Sequence, residues 1–236
     1  QQVKNIFKYT NPKNIILEKL IAQSISEINE LVCFFEKKHC NVWVNTQMRT
    51  YFFYKKLKNY IKNEKKIFVK VYGNDWGFAC NSIHYIDLYS WIFDSKIKKI
   101  VLLDTLKKFY KSKREGYLEF FGKFLIVFEN KKKMQISCKK LNKPGKINHQ
   151  IITSKDTILF KESDEEISNL KKTLRIKAKQ KMIFEQINYF LKNVLKGQPT
   201  GLPRLEESAE LHRIIFKAIN LHFFGTENAR KKLNIT

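Results

Sequence analysis

The spacing of apolar residues in the first quarter of the chain predicts a strand, a helix and a second strand. Asn14 to Leu17 is a short apolar run, which is typical of a buried strand. Ser24 followed by Glu27 forms a capping box, and four apolar residues recur behind it at helical spacing, namely Ile28, Leu31, Val32 and Phe35. Asn41 to Asn45 is β-branched and alternating, which indicates the second strand.

A strand, a helix and a strand within about 30 residues indicate a parallel βαβ unit. The chain therefore opens as the end of an α/β domain, and we place its boundary at residue 48. One such unit does not form a stable sheet alone, and the first residue is glutamine, not methionine. We therefore expect further sequence in front of Gln1.

The pattern after this unit predicts a helix, a strand and a second, longer helix. Arg49 to Lys62 has helical spacing, Lys66 to Tyr72 reads as a strand, and Gly73 to Asp94 contains a helix that Asn74 or Asp75 could cap. The apolar side of this last helix consists of Phe78, Ile86, Tyr89 and Phe93. Since the side chain two residues before Ile86 points about 200° away from it, we expect the opposite side to carry Cys80, Asn81, His84 and Asp87.

Beyond Asp94 the period changes from helical to alternating. Strands are predicted at 99–103, 116–121, 123–128, 134–139, 150–153 and 157–160. Consecutive strands without helices between them indicate a largely antiparallel sheet. A long helix is predicted over Ile167 to Leu195, and a last helix follows Pro203. The predicted fold class is therefore α+β, an open and mostly antiparallel sheet flanked by helices, preceded by the βαβ unit.

The net charge of the 236 residues is +24, from 46 Lys and Arg against 22 Asp and Glu. Such a charge attracts polyanions. However, the lysines are scattered along the whole chain and accompany many Asn and Ile residues, a pattern that an AT-rich coding sequence also produces. The sequence contains no zinc finger, RNP-type aromatic motif or basic heptad array. Nucleic-acid binding is therefore the less favoured interpretation, and it is kept as an alternative.

The cysteines and the apolar runs bear on the compartment. None of the four cysteines is in a CxxC pair, so neither a zinc site nor a disulfide framework is predicted. The histidines lie apart from one another, and we predict no metal site. No apolar run reaches the ~18 residues of a membrane span, and the first residues do not resemble a secretory signal. We expect a cytoplasmic protein.

Five side chains are candidates for chemistry, and each has a structural alternative. His84 could be catalytic or a core histidine held by a hydrogen bond. Lys19 follows a strand at the end where α/β sheets bind ligands, although a solvated lysine is an ordinary alternative. Arg49 could contact a substrate or pair with a carboxylate. Asp87 is better read as an anchor, and Cys80 as a packing residue, since no charged partner lowers its pKa.

Three segments, in this order, resemble the Gfo/Idh/MocA oxidoreductases. Residues 14–58 are similar to the family's domain junction, where a strand ends in Glu-Lys-Pro, a capped helix follows, and a second strand leads to an Asn-x-x-Arg-like turn. The sequence HYIDL, from His84 to Leu88, is similar to the family's substrate-domain helix. Leu202 to Ile219 resembles its closing helix with a Leu-Pro lead.

The resemblance implies an NAD- or NADP-dependent dehydrogenase of a sugar, sugar derivative or polyol. Residues 1–48 would be the end of a dinucleotide-binding Rossmann domain, and residues 49–236 the substrate and oligomerisation domain. Lys19 would lie between nicotinamide and substrate, with Glu18 also at the cofactor. His84 would act as acid or base, and Asn81, His84 and Arg49 would contact the substrate. Apart from the resemblance, an exposed sheet face is a natural dimer surface, so we expect a homo-oligomer formed through the open sheet. A third possible function is that the sheet serves only for this association.

The sequence departs from the family pattern at three points. Leu20 stands where the family has proline, and Cys80 where it often has aspartate, four residues before the histidine. None of the eight glycines belongs to a GxGxxG fingerprint, which brings backbone close to a pyrophosphate. A non-enzymatic basic module, or a decayed remnant that binds polyanions, is therefore the alternative function.

Overall fold

The computed structural model describes residues 2–103, 107–164, 166–171, 173–177, 183–228 and 232–235. Its first unit contains helix α1 (Gln2–Tyr9), strand β1 (Asn14–Leu17), helix α2 (Ile25–Glu36) and strand β2 (Asn41–Val44). The two strands pair in parallel, which confirms the predicted βαβ unit. The capping box is also confirmed, because the Ser24 hydroxyl accepts a hydrogen bond from the Glu27 amide at 3.1 Å.

Helix α1 was not predicted. Its Phe7 ring packs against Phe34 and Phe35 of α2, with ring centroids 5.2 and 5.9 Å apart. Together with Val42, Val44 and Leu205, these rings form a small apolar core beside β1 and β2. The helix has only eight residues, so tertiary packing and not intrinsic propensity stabilises it.

A 3₁₀ turn (Gln47–Thr50) and helix α3 (Phe52–Ile61) lead into strand β3 (Ile67–Asn74) and helix α4 (Phe78–Phe93). The predicted cap of α4 is wrong, because the helix begins after Gly77 and no side chain caps it. Asn74 is instead the last residue of β3. The Asp75 carboxylate accepts hydrogen bonds from the amides of Leu141 and Lys143, which ties down another loop.

The main sheet has eight strands in the order β12-β11-β10-β9-β3-β8-β7-β4. Only the β3–β8 pair is parallel among these neighbours, so the predicted open, mostly antiparallel sheet is confirmed. Its other strands are β4 (Ile97–Leu103), β7 (Gly122–Phe128), β8 (Lys133–Lys139), β9 (Asn148–Thr153), β10 (Thr157–Lys161), β11 (Glu166–Asn169) and β12 (Arg175–Lys177). A separate two-stranded hairpin consists of β5 (Tyr110–Lys111) and β6 (Leu118–Glu119).

One face of the main sheet forms the core, and the other is open. Ile126, Met134, Val69 and Ile151 are cross-strand neighbours on the first face, and each is at most 1% exposed. On the opposite face, exposed apolar side chains include Tyr72, Leu103, Leu125 and Leu159. Helix α4 packs between the core face and α3, which explains why most of its residues are buried.

The long helix predicted over Ile167 to Leu195 is wrong in its first part. That part forms β11 and β12, and helix α5 occupies only Ile183–Leu195. Residues 178–182 lie outside the described part of the chain. The Asn169 carboxamide explains the difference, because it donates to Thr173 Oγ1 and accepts from the Leu174 amide, which closes a turn between the strands.

Helix α6 (Leu205–Phe224) confirms the last predicted helix and packs against α2 and β4. The strand predicted at 116–121 is reduced to Leu118–Glu119. Within the described ranges, no helix combines the length and the hydropathy that crossing a bilayer requires.

Candidate functional site

A cleft of about 1090 Å³ lies beside the first turn of α4. Its walls come from the end of β1, the start of α4, the β5–β6 hairpin and the loop after β8. The side chains that matter for chemistry are Glu18, Lys19, Cys80, Asn81, Arg114 and Glu119.

Lys19 is the half-buried amine of this cleft. It directly follows Glu18 at the end of β1, and the Lys19–Leu20 peptide bond is cis. The ammonium donates to the Cys80 carbonyl at 2.9 Å and to Asn81 Oδ1 at 2.8 Å. Burial lowers the pKa of Lys19. An ammonium has three donors, and these two hydrogen bonds to described residues leave one N–H for the Cys80 thiol or for an oxygen in the cleft.

The start of α4 is shaped around Asn81. Its amide nitrogen donates to the Trp76 carbonyl at 2.8 Å while its oxygen accepts from Lys19. Gly77 has a φ of +78°, and a Cβ added there would lie 2.8 Å from the Asn81 amide nitrogen. A glycine is therefore needed both for the left-handed backbone and for the space that Asn81 occupies.

Glu119 closes the other side of the same turn. Its Oε1 accepts from the amides of Ala79 at 2.6 Å and Phe120 at 2.9 Å. The residue is only 8% exposed, yet it lines the cleft. Burial raises the pKa of Glu119 to about 7, although the two amides and Lys19 act in the opposite direction.

His84 lies one turn deeper in α4 and is not among the residues that line the cleft. Its Nδ1 is buried and has no hydrogen-bond partner among the described residues. Burial and then the positive charge of Lys19 lower the pKa of His84 to about 4, whereas Glu162 acts in the opposite direction. The imidazole is therefore neutral at pH 7.

Arg49 and Asp87 form a buried ion pair. Arg49 Nε and Nη2 donate to the two carboxylate oxygens of Asp87 at 2.7 and 2.5 Å. The side chains are 4% and 1% exposed. Arg49 also pairs with Glu207 of α6 at 2.7 Å. Asp87 and Glu207 together raise the pKa of Arg49, although burial alone would lower it. The pair connects the 3₁₀ turn to α4 and α6.

No protein-family model matches this chain, and no curated protein sequence does either. Solved structures do match. An oxidoreductase from Thermotoga maritima is 14% identical with a TM-score of 0.68, over 95% of this chain and 82% of that one. An oxidoreductase from Agrobacterium radiobacter in complex with NAD+, L-tartaric acid and magnesium is 13% identical with a TM-score of 0.63, over 89% and 71%. Scyllo-inositol dehydrogenase from Lactobacillus casei is 15% identical with a TM-score of 0.57, over 85% and 67%.

The chain shares the fold of these oxidoreductases, in agreement with the fold that the resemblance implied. On this fold, three of the sequence-predicted site residues line one cleft, namely Glu18, Lys19 and Asn81. Glu18 lies beside β2, where its carboxylate accepts from the Asn45 side chain at 2.7 Å. His84 lies behind them. Arg49 is paired with Asp87. Of the two roles that the sequence allowed, substrate contact or pairing with a carboxylate, the structure shows the carboxylate pair.

Sequence reasoning missed Glu119. That carboxylate reaches the α4 turn that carries Cys80, which stands where the Gfo/Idh/MocA family often has aspartate. The available signal was a single acidic residue within the aromatic run YLEFF. Burial also raises the pKa of the Cys80 thiol, so the thiol stays neutral. Among the described residues, no group of three or more His, Cys, Asp or Glu could hold a metal ion.

Proposed function

We propose that this protein is an NAD- or NADP-dependent oxidoreductase that acts on a sugar, a sugar derivative or a polyol. The observation that carries the proposal is the position of Lys19. This residue follows the end of β1, and its amine contacts the first turn of α4 inside the cleft. The Agrobacterium neighbour was solved with NAD+, and the Lactobacillus neighbour is an inositol dehydrogenase, which supports this class of reaction.

Residues 1–48 form the dinucleotide side of the proposal, and residues 49–236 the substrate side. Glu18 and Lys19 would hold the nicotinamide end, since both lie on the cleft wall at the end of a parallel strand. The chain supplies no GxGxxG cradle for a pyrophosphate, so its residues fit one end of the dinucleotide only. When bound, NAD(P)+ supplies the hydride acceptor.

Lys19 would bind the reacting oxygen. Its two hydrogen bonds go to neutral acceptors, so the positive charge is not neutralised by them. An ammonium held in this position stabilises the negative charge that develops on an alcohol oxygen during oxidation. Asn81 holds the amine in place by accepting one of its protons, and this geometry makes Asn81 a positioning residue as well as part of the cleft wall.

The resemblance assigns proton transfer to His84. Its neutral imidazole could take a proton, and Lys19 is close enough to affect its pKa. If His84 takes this proton, His84→Ala should lower turnover strongly. The fold should be retained, because the side chain is only half-buried and makes no hydrogen bond through its buried Nδ1. Unchanged turnover in a folded variant would remove His84 from the mechanism.

The function is tested with the full translation product of the gene. Binding of NAD(H) and NADP(H) is measured by fluorescence, and the reduced cofactor is followed at its absorbance band with a panel of sugars, sugar acids and polyols. Reduction of NAD+ or NADP+ in the presence of one class of alcohol would support the proposal. Failure to retain either nucleotide, together with nucleic-acid binding that weakens steeply with salt, would support the polyanion-binding alternative.

We further propose that the open sheet face mediates association of identical subunits. Leu125 and Leu159 are 36% and 42% exposed and occupy the same cross-strand row of this face. Light scattering should give a multiple of the 28.2 kDa chain mass, and Leu125→Glu with Leu159→Glu should give a monomer. Tyr9→Glu is the control, since Tyr9 is an exposed aromatic residue away from this sheet.

A further inference from the structure

Glu119 is a fixed carboxyl group with one oxygen left for the cleft. Two backbone amides hold Oε1. Oε2 accepts no hydrogen bond from the described residues, and it is not among their fully buried, unpaired oxygens. It would lie 3.7 Å from a Cβ added at Gly77, which itself lines the cleft. The carboxyl group therefore presents Oε2 to the cleft, over a residue that has no side chain.

Glu119 and Lys19 both form hydrogen bonds with the first turn of α4. The carboxyl oxygen accepts from the Ala79 amide, and the ammonium donates to the carbonyl of Cys80 and the side chain of Asn81. These three partners are consecutive in α4. An oxygen bound to Lys19 would therefore share the cleft with the Glu119 carboxyl group, at the first turn of α4.

The surroundings of Glu119 allow it to change protonation state near neutral pH. Lys19 acts electrostatically on Glu119, which in turn acts on the thiols of Cys80 from α4 and Cys138 from β8. Arg114 of the β5–β6 hairpin lines the same cleft and acts on Lys19 and Cys80. Burial raises the pKa of both thiols, so of Lys19 and the two thiols, Lys19 is the charged one. With the pKa of Glu119 raised to about 7, the group meets the usual requirement for general acid–base catalysis.

We propose that Glu119 is the proton-exchanging group of the cleft. This inference rests on the proposed dehydrogenase function. An alcohol held by Lys19 loses its hydroxyl proton to Glu119 Oε2 and its C–H hydride to NAD(P)+, which leaves a ketone, reduced cofactor and a neutral carboxyl group. That carboxyl group returns its proton to solvent through the open cleft. Glu119 thereby replaces the aspartate that the chain lacks at Cys80, and it takes the proton in place of His84, which does not line the cleft.

The first test needs no substrate. The carboxyl carbons of the glutamates are labelled with ¹³C and titrated by NMR, and Glu119→Gln identifies the signal. We expect this signal to titrate near neutral pH. If it titrates with the exposed glutamates near their ordinary pKa of about 4.3, the proposal is wrong whether or not the protein is a dehydrogenase.

The second test uses the alcohol that gives turnover. We expect Glu119→Gln to lower kcat by about 100- to 10,000-fold, which is the usual contribution of a general acid or base, and to remove the neutral-pH limb of the kcat profile. Glu119→Asp should restore part of the rate, because it keeps a carboxyl group. Glu115→Gln is the control, since it removes the same charge from an exposed turn of the same hairpin.

The two proposals fail in different ways. Unchanged kcat and an unchanged pH profile in folded Glu119→Gln would refute the role of Glu119 and leave the dehydrogenase proposal standing. Absence of NAD(P)H formation by the wild-type protein with every alcohol would refute the dehydrogenase function, and with it the reaction assigned to Glu119. Circular dichroism shows whether each variant is folded.

Discussion

Removal of Arg49 should be one of the most destabilising single changes in this chain. The guanidinium is 4% exposed and holds both oxygens of Asp87, which is 1% exposed. Arg49→Met would leave a carboxylate buried without its partner. Breaking a buried ion pair in this way costs about 3–5 kcal/mol. For a chain of this size, where 1 kcal/mol corresponds to about 2–4 °C, the melting temperature should fall by roughly 6–20 °C.

Two further variants separate burial from pairing. Arg49→Met combined with Asp87→Leu removes both charges, and we expect it to recover most of the lost stability, because apolar replacements of a buried pair are often neutral or stabilising. Glu207→Gln should cost less than about 1 kcal/mol, since the Glu207 side chain is 50% exposed although it lies 2.7 Å from Arg49.

The assay is chemical denaturation followed by circular dichroism, with a thermal melt of each variant in parallel. The reasoning would be refuted if Arg49→Met cost no more than Glu207→Gln, or if the double variant were as unstable as the sum of its single changes. A fully stable Arg49→Met that binds no substrate would instead support the other interpretation of Arg49, in which it contacts the substrate.

Three further changes follow from the local geometry. Ser24→Ala removes the α2 cap and should lower the free energy of unfolding by about 1 kcal/mol, measured by urea denaturation. Gly77→Ala places a Cβ 2.8 Å from the side-chain amide nitrogen of Asn81, in a left-handed backbone. It should therefore destabilise the protein by about 1–2 kcal/mol. We also expect the hydrogen bond between Lys19 and Asn81 to be lost, which a shift of their NMR signals would show. Burial would raise the pKa of Glu162, but His149 and Tyr85 outweigh it and the net pKa is lowered from 4.5. The stabilisation that ionised Glu162 contributes is therefore present above pH 4.5 and is lost on acidification. In a series of thermal melts at decreasing pH, the melting temperature of Glu162→Gln should fall less than that of the wild type.

Those parts of the fold that depend on local period could be predicted from the sequence. The capping box at Ser24 and the apolar run at Asn14 to Leu17 predicted α2 and β1 close to their observed bounds, because a cap and an apolar run each depend on neighbours within one turn. The expected burial of β1 is wrong, since its four residues are exposed or half-buried. The antiparallel strands after Asp94 also followed from alternation. Helical spacing failed around Asn169, whose side chain closes a turn that periodicity does not encode.

The environment of the candidate residues could not be predicted in the same way. His84, Cys80, Asn81 and Asp87 share one side of α4, and helical geometry alone suggested a common polar face. That side is divided in the structure. Asn81 reaches the cleft, His84 is half-buried, and Asp87 is enclosed by Arg49, which comes from a different element. Exposure depends on what packs against each turn, and in α4 most of the helix is buried.

The position of Glu119 in the cleft that Lys19 also lines explains why a missing motif residue does not by itself indicate a missing function. The sequence places a thiol at position 80, and a neutral thiol cannot accept a hydroxyl proton as a carboxylate does. The β5–β6 hairpin brings a carboxyl group to the same turn from far along the chain, and the Ala79 amide fixes it there. What the chemistry requires is a titratable oxygen beside the amine, and the backbone position that supplies it can differ. The decisive comparison is therefore between Glu119→Gln and Cys80→Asp. If the inference holds, an aspartate introduced at position 80 should restore part of the turnover that Glu119→Gln removes.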